Sequence, residues 1–291
     1  MNFKKGPELS PEEKKMPLAK YYDIPLTPIG PIFQQVMDYG CPLDPKLAIK
    51  VENMLDLLQP TGYQKQEFGY CMMEDGTGYM ATYMAHPNTT PEMLKWWFRW
   101  LNVHPKGQPK GTGNLKYKIW CPPDHYDHAF INGKDARDGI WTVESFDFGE
   151  GDPKFGTIRH PVNLRDHGLT EQKEKELKAA GCFVDSAYVT FHTPDPYHEP
   201  GMTHTQLPGT YFNVTLSRTN PLGHMEKISR MYVGWTVKDG QIVRDESTPS
   251  SMLCEEFLKK VVTHASVEAQ QGMKWLPELY AKYHDKPDDE L

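Results

Sequence analysis

The sequence lacks the features that mark membrane, secreted and nucleic-acid-binding proteins. None of its apolar runs approaches the ~20 residues of a membrane-spanning helix, and no apolar segment follows the lysines of residues 1–20. We therefore expect a frayed N-terminus, no signal peptide and no membrane partner. The 39 acidic residues outnumber the 32 basic ones, which argues against a nucleic-acid partner because phosphate neutralisation needs a basic surplus.

Cysteine is scarce as well. The five cysteines lie far apart and form no C-x-x-C pair, which argues against a disulfide scaffold and against a thiolate zinc site. A reduced chain of this kind is typical of the cytoplasm, where we expect the protein to be located. The sequence also contains no G-x-S-x-G nucleophile motif and no phosphate-binding P-loop.

Prolines divide the first part of the chain, residues 1–113, which we predict to be mainly helical. Short helices are predicted over 32–39, over 45–58 with Asp44 as the cap, and over 91–101 with Thr90 as the cap. The last of these carries three tryptophans, which favours a packing role because each ring buries a large area. Residues 66–85 predict a loop-rich hairpin.

Strands predominate in the second part, residues 114–291. Asp239-Gly240 predicts a hairpin turn, Thr170 caps a helix over 171–180, and apolar residues at helical spacing predict one long closing helix over 250–283. The predicted fold class is α+β, with a mostly antiparallel sheet against the closing helix. β-Branched and aromatic residues predict strands over 116–120, 141–148, 155–160, 188–191, 210–216, 225–235 and 241–244.

Two polar residues interrupt the apolar stripe of the closing helix. His264 and Glu268 lie one turn apart on the core side of that helix. Because an unpaired carboxylate is costly to bury there, the two residues either hydrogen-bond each other or bind one metal ion together. The sequence leaves both interpretations open.

A second polar cluster follows the first of the predicted strands. Asp124, His125 and His128 come after a Cys-Pro-Pro turn, where one imidazole can bind a metal and the other can face the substrate. A solvated loop is the alternative. As a further carboxylate ligand we prefer Glu144, in an aromatic strand, and keep Glu150, in a Gly-Glu-Gly turn, as the alternative.

A proline-rich loop holds three more histidines. His192, His198 and His204 recur every six residues, a pattern compatible with metal binding, with a lid over the substrate and with an inert loop. We prefer the lid to metal binding, and take His204 as a candidate substrate-binding residue.

Three short motifs, taken together, are similar to those of a known enzyme family. They are the Trp-rich stretch 90–100, the stretch 117–120 followed by Asp124-His125, and the stretch 264–268. In these the chain resembles the diacetylphloroglucinol hydrolase and phloretin hydrolase family, over most of the sequence from about residue 60. The resemblance implies a helix-grip fold like that of Bet v 1 for residues 114–291. It also implies zinc-dependent cleavage of the carbon–carbon bond between an acyl group and a phloroglucinol-type ring.

The resemblance further implies which residues bind the zinc ion. His125, His264 and Glu268 match three of the family's ligands. Glu144 is the nearest match to the remaining glutamate, although the gap from His125 is shorter than the family leads us to expect.

Three other positions match substrate-contacting positions of the family. Tyr117, eight residues before His125, matches a tyrosine that contacts the substrate. His128 falls where the family has an asparagine near the acyl group, and we assign these two residues catalytic roles. Met231 stands where the family has an aromatic residue, which puts the exact substrate in doubt.

Two classes of function therefore fit the sequence. The first is a metal-dependent hydrolase for a small acylphenol or a related β-diketone; the second is a non-catalytic helix-grip protein that binds a hydrophobic or phenolic ligand. Metal content separates them, because a carrier needs no inward-facing His264 and Glu268. Iron or manganese would fit the same ligands as zinc, and the sequence leaves a homodimer open.

Overall fold

An antiparallel sheet is the largest element of the fold. The computed structural model describes residues 4–28, 30–146, 153–271 and 273–290. Strands β1 to β8 form one antiparallel sheet in the order β1-β2-β8-β7-β6-β5-β4-β3, and β9 and β10 form a separate hairpin. The predicted α+β class with a large antiparallel sheet is confirmed. The strands are Gly69–Met72 (β1), Gly78–His86 (β2), His125–Phe130 (β3), Ile140–Glu144 (β4), Phe155–Pro161 (β5), Phe183–His192 (β6), Gln206–Thr219 (β7), Met225–Val233 (β8), Trp235–Lys238 (β9) and Gln241–Arg244 (β10).

The helices are mostly short. None of those in the described ranges is long and apolar enough to cross a bilayer. The α-helices are Ala19–Asp23 (α1), Pro31–Tyr39 (α2), Pro91–Trp100 (α3), Leu115–Trp120 (α4), Glu171–Ala179 (α5), Glu255–Gln271 (α6) and Leu276–Tyr283 (α7). Single 3-10 segments cover Glu13–Lys15, Pro45–Leu47, Val51–Leu57, Ala136–Asp138, Leu164–His167 and Met273–Trp275.

Both predicted hairpins are present. Asp239 and Gly240 join β9 to β10 with positive φ angles of 51° and 73°, as a two-residue turn between twisted strands requires. The hairpin predicted over 66–85 is β1 with β2, and β2 pairs with β8. The sheet therefore includes strands from both sides of residue 113.

The two faces of the sheet pack against different cores. Because side chains alternate along a strand, Met231 and Val233 of β8 pack with Phe257 and Val262 of α6 on one side, which we call the α6 face. Neighbouring residues of β8, such as Tyr232, join the opposite core. Helix α6 also contacts β1 and β2.

The strand predicted over 116–120 is wrong, because these residues form helix α4. The Asn114 side chain caps this helix by accepting a hydrogen bond from the Lys116 amide at 3.0 Å. Every residue of α4 is buried, and a short run buried on all sides does not show the periodicity that separates a helix from a strand.

The single closing helix predicted over 250–283 is also wrong. Helix α6 ends at Gln271, a 3-10 turn follows, and α7 begins at Leu276. Pro277 lies in the first turn of α7, where it is tolerated, whereas inside a continuous helix it would remove a hydrogen bond and clash with the preceding turn. The turn that carries His264 and Glu268 lies within α6.

Two expectations about the N-terminal region are wrong as well. Residues 45–58 form 3-10 segments instead of an α-helix, although Asp44 does act as a cap, accepting from the Lys46 amide at 3.0 Å. Residues 4–23 are packed rather than frayed, because Glu13 is buried and forms an ion pair with Lys118 at 2.7 Å. This ion pair ties the N-terminal segment to α4.

Candidate metal centre

Four residues predicted as ligands meet where strands β3 and β4 approach helix α6. His125 begins β3 and Glu144 ends β4, and the two are register partners in the antiparallel pair. His264 and Glu268 project from one face of α6, one turn apart. Strand pairing and helical periodicity thus bring together residues from distant parts of the chain.

The ligand atoms are spaced almost as a metal ion requires. His125 Nε2 lies 3.8 Å from Glu144 Oε1 and 3.6 Å from Glu268 Oε2. His264 Nε2 lies 3.6 Å from Glu144 Oε1 and 3.8 Å from Glu268 Oε2. Ligands bound at ~2.0–2.1 Å to a tetrahedral ion lie ~3.4 Å apart. The ligand atoms of His125, Glu144 and His264 all lie within 4.8 Å of one another, so a small contraction of these three would enclose an ion. Glu268 is not in that group, although its Oε2 faces both imidazoles from α6.

The donor atoms also fit a metal chemically. His125 is fully buried, and its Nε2 has no hydrogen-bond partner among the described residues. A buried nitrogen without a partner costs free energy, and an ion between the four side chains would supply the partner. Two imidazoles with two carboxylates form a donor set that suits zinc, iron or manganese.

The electrostatics of the cluster favour a positive charge at its centre. Burial, helped by His264, lowers the pKa of His125 well below its usual value and keeps its ring neutral, as a ligand must be. Burial raises the pKa of Glu268 to about 7. Burial opposes protonation of His264, but Glu144 and Asp124 outweigh it and raise its pKa well above the usual value. The carboxylates therefore attract a cation, whether a proton or a metal ion.

Hydrogen bonds hold both histidines with Nε2 toward the centre. His264 Nδ1 is bonded to the carboxylate of Asp124, which also accepts a hydrogen bond from the Ser145 hydroxyl. His125 Nδ1 lies 3.3 Å from the backbone carbonyl of Tyr117. Partners of this kind fix the ring orientation of histidines that bind metals. The role of Asp124 was missed from the sequence, where its adjacency to His125 was visible but its contact with α6 was not.

Tyr117 and His128 lie beside the four residues. The Tyr117 hydroxyl donates a hydrogen bond to Glu144 Oε1, and its ring stacks on His125 with the ring centres 3.8 Å apart. The ring of His128 lies 4.6 Å from that of Tyr117. Burial, helped by Arg159, lowers the pKa of His128 to about 3, so this ring is neutral at physiological pH. The structure thus brings both predicted catalytic residues to the cluster.

The other two residues predicted to contact the substrate, Met231 and His204, lie on opposite faces of the sheet. Met231 packs in the core between the sheet and α6, on the α6 face. His204 stacks on Trp141 with the ring centres 3.7 Å apart. Since Trp141 and Glu144 are an odd number of positions apart in β4, their side chains leave opposite faces of the sheet. The structure therefore does not bring His204 to the cluster.

The remaining candidates do not add a ligand. Glu150, the alternative to Glu144, lies outside the described residues. In the loop that follows β6, His198 Nδ1 and His204 Nε2 are 2.8 Å apart and hydrogen-bonded to each other. Among the described residues, the one group of three potential metal ligands is His125, Glu144 and His264. The loop holds no such group.

Comparison with known proteins finds similarity along most of the chain. A family model described as DAPG hydrolase PhiG domain matches residues 47–281. Phloretin hydrolase from Eubacterium ramulus is 34% identical in an alignment that covers 94% of this chain and 93% of that protein. All four residues of the cluster lie inside the matched range.

Proposed function

Because this chain belongs to the family of the DAPG hydrolase PhiG domain, we propose that it is a zinc-dependent hydrolase of acylphenols. Its proposed reaction cleaves the carbon–carbon bond between an acyl group and a phloroglucinol-type ring, or the equivalent bond of a related β-diketone. The observation that carries the proposal is the convergence of His125, Glu144, His264 and Glu268, each histidine lying 3.6–3.8 Å from both carboxylates.

The reaction needs the ring in its keto form. An aryl carbanion is a very poor leaving group, whereas an enolate is a tolerable one. Water adds its oxygen to the acyl carbon, the bond between the acyl carbon and the ring carbon breaks, and the electron pair moves onto the ring as an enolate. A proton then returns to that ring carbon. One acylphenol and one water molecule thus give one carboxylic acid and one polyphenol.

The four residues of the cluster would hold the metal ion in this reaction. When bound, zinc supplies Lewis acidity, which polarises a carbonyl oxygen and lowers the pKa of water. Asp124 and the backbone carbonyl of Tyr117 keep the two imidazoles oriented toward the centre. The site is preorganised by its own hydrogen bonds, so binding a metal requires little rearrangement of the chain.

Tyr117 and His128 supply polar groups for the ring. The Tyr117 hydroxyl lies at Glu144, where it can orient a ring hydroxyl against the cluster. His128 is neutral, and its buried Nδ1 has no hydrogen-bond partner among the described residues. The unpartnered nitrogen of a neutral imidazole can accept a hydrogen bond from a ring hydroxyl and so orient the ring. Met231 provides an apolar wall.

The finer structural assignments belong to the same proposal. The packing of α6 on the sheet supports a helix-grip arrangement, with residues 114–291 as its catalytic part. The five cysteines are all unpaired, which fits a reducing compartment and supports a cytoplasmic location. A homodimer would be compatible with this arrangement.

Elemental analysis of the purified protein, followed by product detection with a panel of acylphloroglucinols, tests the proposal. We expect close to one equivalent of metal for each chain, and equal amounts of a carboxylic acid and a polyphenol as products. A metal-free protein that binds the panel without cleaving it would instead be the non-catalytic carrier.

A further inference from the structure

One lysine next to the candidate metal centre has no anionic partner. Lys227 is half-buried on β8, and its side chain forms no hydrogen bond or ion pair with the described residues. Its Nζ lies 5.4 Å from the centre of the Phe98 ring in α3. Such a contact attracts the cation to the ring face but supplies no anion.

The fully buried cations in the described ranges all have hydrogen-bond partners. Lys118 pairs with Glu13 at 2.7 Å, and Arg218 pairs with Glu226 at 2.6 Å. Lys116 donates to backbone carbonyls, among them that of Val103 at 2.8 Å. Because a cation shielded from water without a partner costs free energy, a ligand that supplied an anion would stabilise the half-buried side chain of Lys227.

The side chain of Lys227 lies on the face of the sheet that packs against α6. Successive side chains of a strand point to opposite faces of the sheet. Ile228, the next residue, belongs to the opposite core, whereas Met231, an even number of positions away, packs against α6. Lys227 therefore leaves the sheet on the α6 face. Its charge acts on Glu268 of α6, whose pKa it lowers.

A second cation, Arg159, acts on both Lys227 and His128. Arg159 of β5 is close enough to both to lower the pKa of each. However, Arg159 already pairs with Asp185 and donates a hydrogen bond to Asn213 Oδ1 at 3.1 Å. The charge of Arg159 is therefore balanced, whereas the side chain of Lys227 has no ion-pair partner among the described residues.

The proposed reaction produces an anion of the right kind. When the acyl–ring bond breaks, its electron pair moves onto the ring, and the negative charge rests on a ring oxygen as an enolate until the ring carbon is protonated. With the acyl carbon at the four-residue cluster, the ring would lie beside the cluster on the α6 face, where Lys227 also leaves the sheet. A fixed cation at that oxygen would stabilise the charge as it develops.

We propose that Lys227 is a substrate-binding residue that holds the ring oxygen on which this charge develops. The proposal rests on the proposed function and adds to it a residue that selects ionisable polyphenol rings. No bond is made to Lys227, whose ammonium group donates a hydrogen bond to the oxygen throughout.

The test compares two product analogues on the metal-loaded protein. One is a phloroglucinol-type phenol, and the other is its fully O-methylated ether, which cannot ionise. Lys227→Met removes the charge at similar size, Lys227→Arg retains it, and Lys238→Met removes an exposed lysine of β9 as a matched control. We expect the parent to prefer the phenol and Lys227→Met to lose ~10–100-fold of that preference, as for a hydrogen bond to a charged group. Lys227→Arg should keep most of the preference, and Lys238→Met all of it.

Each outcome bears on one proposal or the other. If the parent hydrolyses no acylphloroglucinol, the proposed function fails. If the parent is active but Lys227→Met keeps the full preference, or loses affinity for the carboxylic acid product instead, the inference about Lys227 is overturned while the proposed function stands. Should Lys227→Met fail to fold, a structure of the parent with bound polyphenol decides the question. Nζ within hydrogen-bond distance of a ring oxygen supports the inference, and Nζ remaining on the Phe98 ring overturns it.

Discussion

Two histidine clusters in this protein use the same side chain in opposite ways. In the candidate metal centre, the Nε2 atoms of His125 and His264 face the carboxylates of Glu144 and Glu268. In the loop that follows β6, His198 is bonded to His204 at 2.8 Å and to the carbonyl of Ile131 at 3.0 Å. The first arrangement attracts a cation, whereas in the second the two rings are hydrogen-bonded to each other.

The difference lies in where the nearby aspartates point. Asp124 bonds to Nδ1 of His264 and leaves Nε2 free for a metal. Asp127, three positions later, accepts a hydrogen bond from the backbone amide of His198 at 2.7 Å and pairs with His104 at 2.6 Å. Asp127 therefore anchors the loop, whereas Asp124 orients a ligand. The number of histidines in a segment is thus a poorer guide to a metal site than the carboxylates they meet.

The largest difference is expected between His264→Ala and His204→Ala. Removing His264 should abolish metal binding and lower kcat/KM by about 10³-fold or more, since the metal contributes several kcal/mol to the transition state. His204→Ala should keep the metal and most of the activity, because His204 stacks on Trp141 away from the cluster. Metal content and kcat/KM of both variants check this. Loss of metal from His204→Ala, or its retention in His264→Ala, would reverse the comparison.

The next largest effect is the difference in kcat between Tyr117→Phe, which removes a polar contact, and Met231→Leu, which changes an apolar one. Tyr117→Phe removes a hydroxyl that donates to Glu144, and we expect kcat to fall by about 10²-fold, as for the loss of one catalytic donor. Met231→Leu changes only an apolar contact and should cost less than about 10-fold. Steady-state kinetics on an acylphloroglucinol check both. Equal kcat values for Tyr117→Phe and the parent would exclude Tyr117 from catalysis.

A smaller effect is expected on metal affinity, which should depend on Asp124 and not on Asp127. Asp124→Asn should weaken metal binding by about 10–100-fold, because the histidine loses the partner that orients it. Asp127→Asn should leave metal affinity unchanged but lower the free energy of unfolding by about 1–3 kcal/mol, since a buried hydrogen-bond network is broken. Competition with a chelator and urea unfolding measure the two effects. If both variants lose metal equally, the loop and the centre are not distinct.

The smallest effect is on acid stability. Burial lowers the pKa values of His192 and His204 in the loop, whereas an unfolded histidine titrates near 6.5. The unfolded chain then binds more protons, so the free energy of unfolding should fall as the pH drops below about 6.5. One fully buried group would contribute at most ~1.4 kcal/mol per pH unit, and the partly exposed His204 contributes less. Urea unfolding between about pH 7 and pH 5 should show a shallower slope for His204→Gln, and an unchanged slope would contradict this.

Local sequence signals predicted the elements that depend on neighbouring residues. Asp239-Gly240 marked its hairpin, and Thr90 and Thr170 marked the starts of α3 and α5. The pairing of His264 with Glu268 followed from helical periodicity alone. In each of these positions a few adjacent residues determine the conformation, so no tertiary contact was needed to predict it.

Features set by tertiary contacts could not be predicted. Helix α4 is buried on all sides, which hides its periodicity. The contact of Asp124 with α6 and the position of Lys227 on the α6 face depend on strand register and on the packing of α6. The break before α7 is different, because Pro277 was visible in the sequence and indicates the end of a helix by itself.

Anomalous diffraction at the zinc absorption edge, from crystals of protein purified without added metal, tests the central claim most directly. We predict a single peak bounded by His125 Nε2, His264 Nε2, Glu144 and Glu268, at about 2.0–2.2 Å from each ligand atom. Absence of a peak there, or a peak at His198 and His204, would contradict the account.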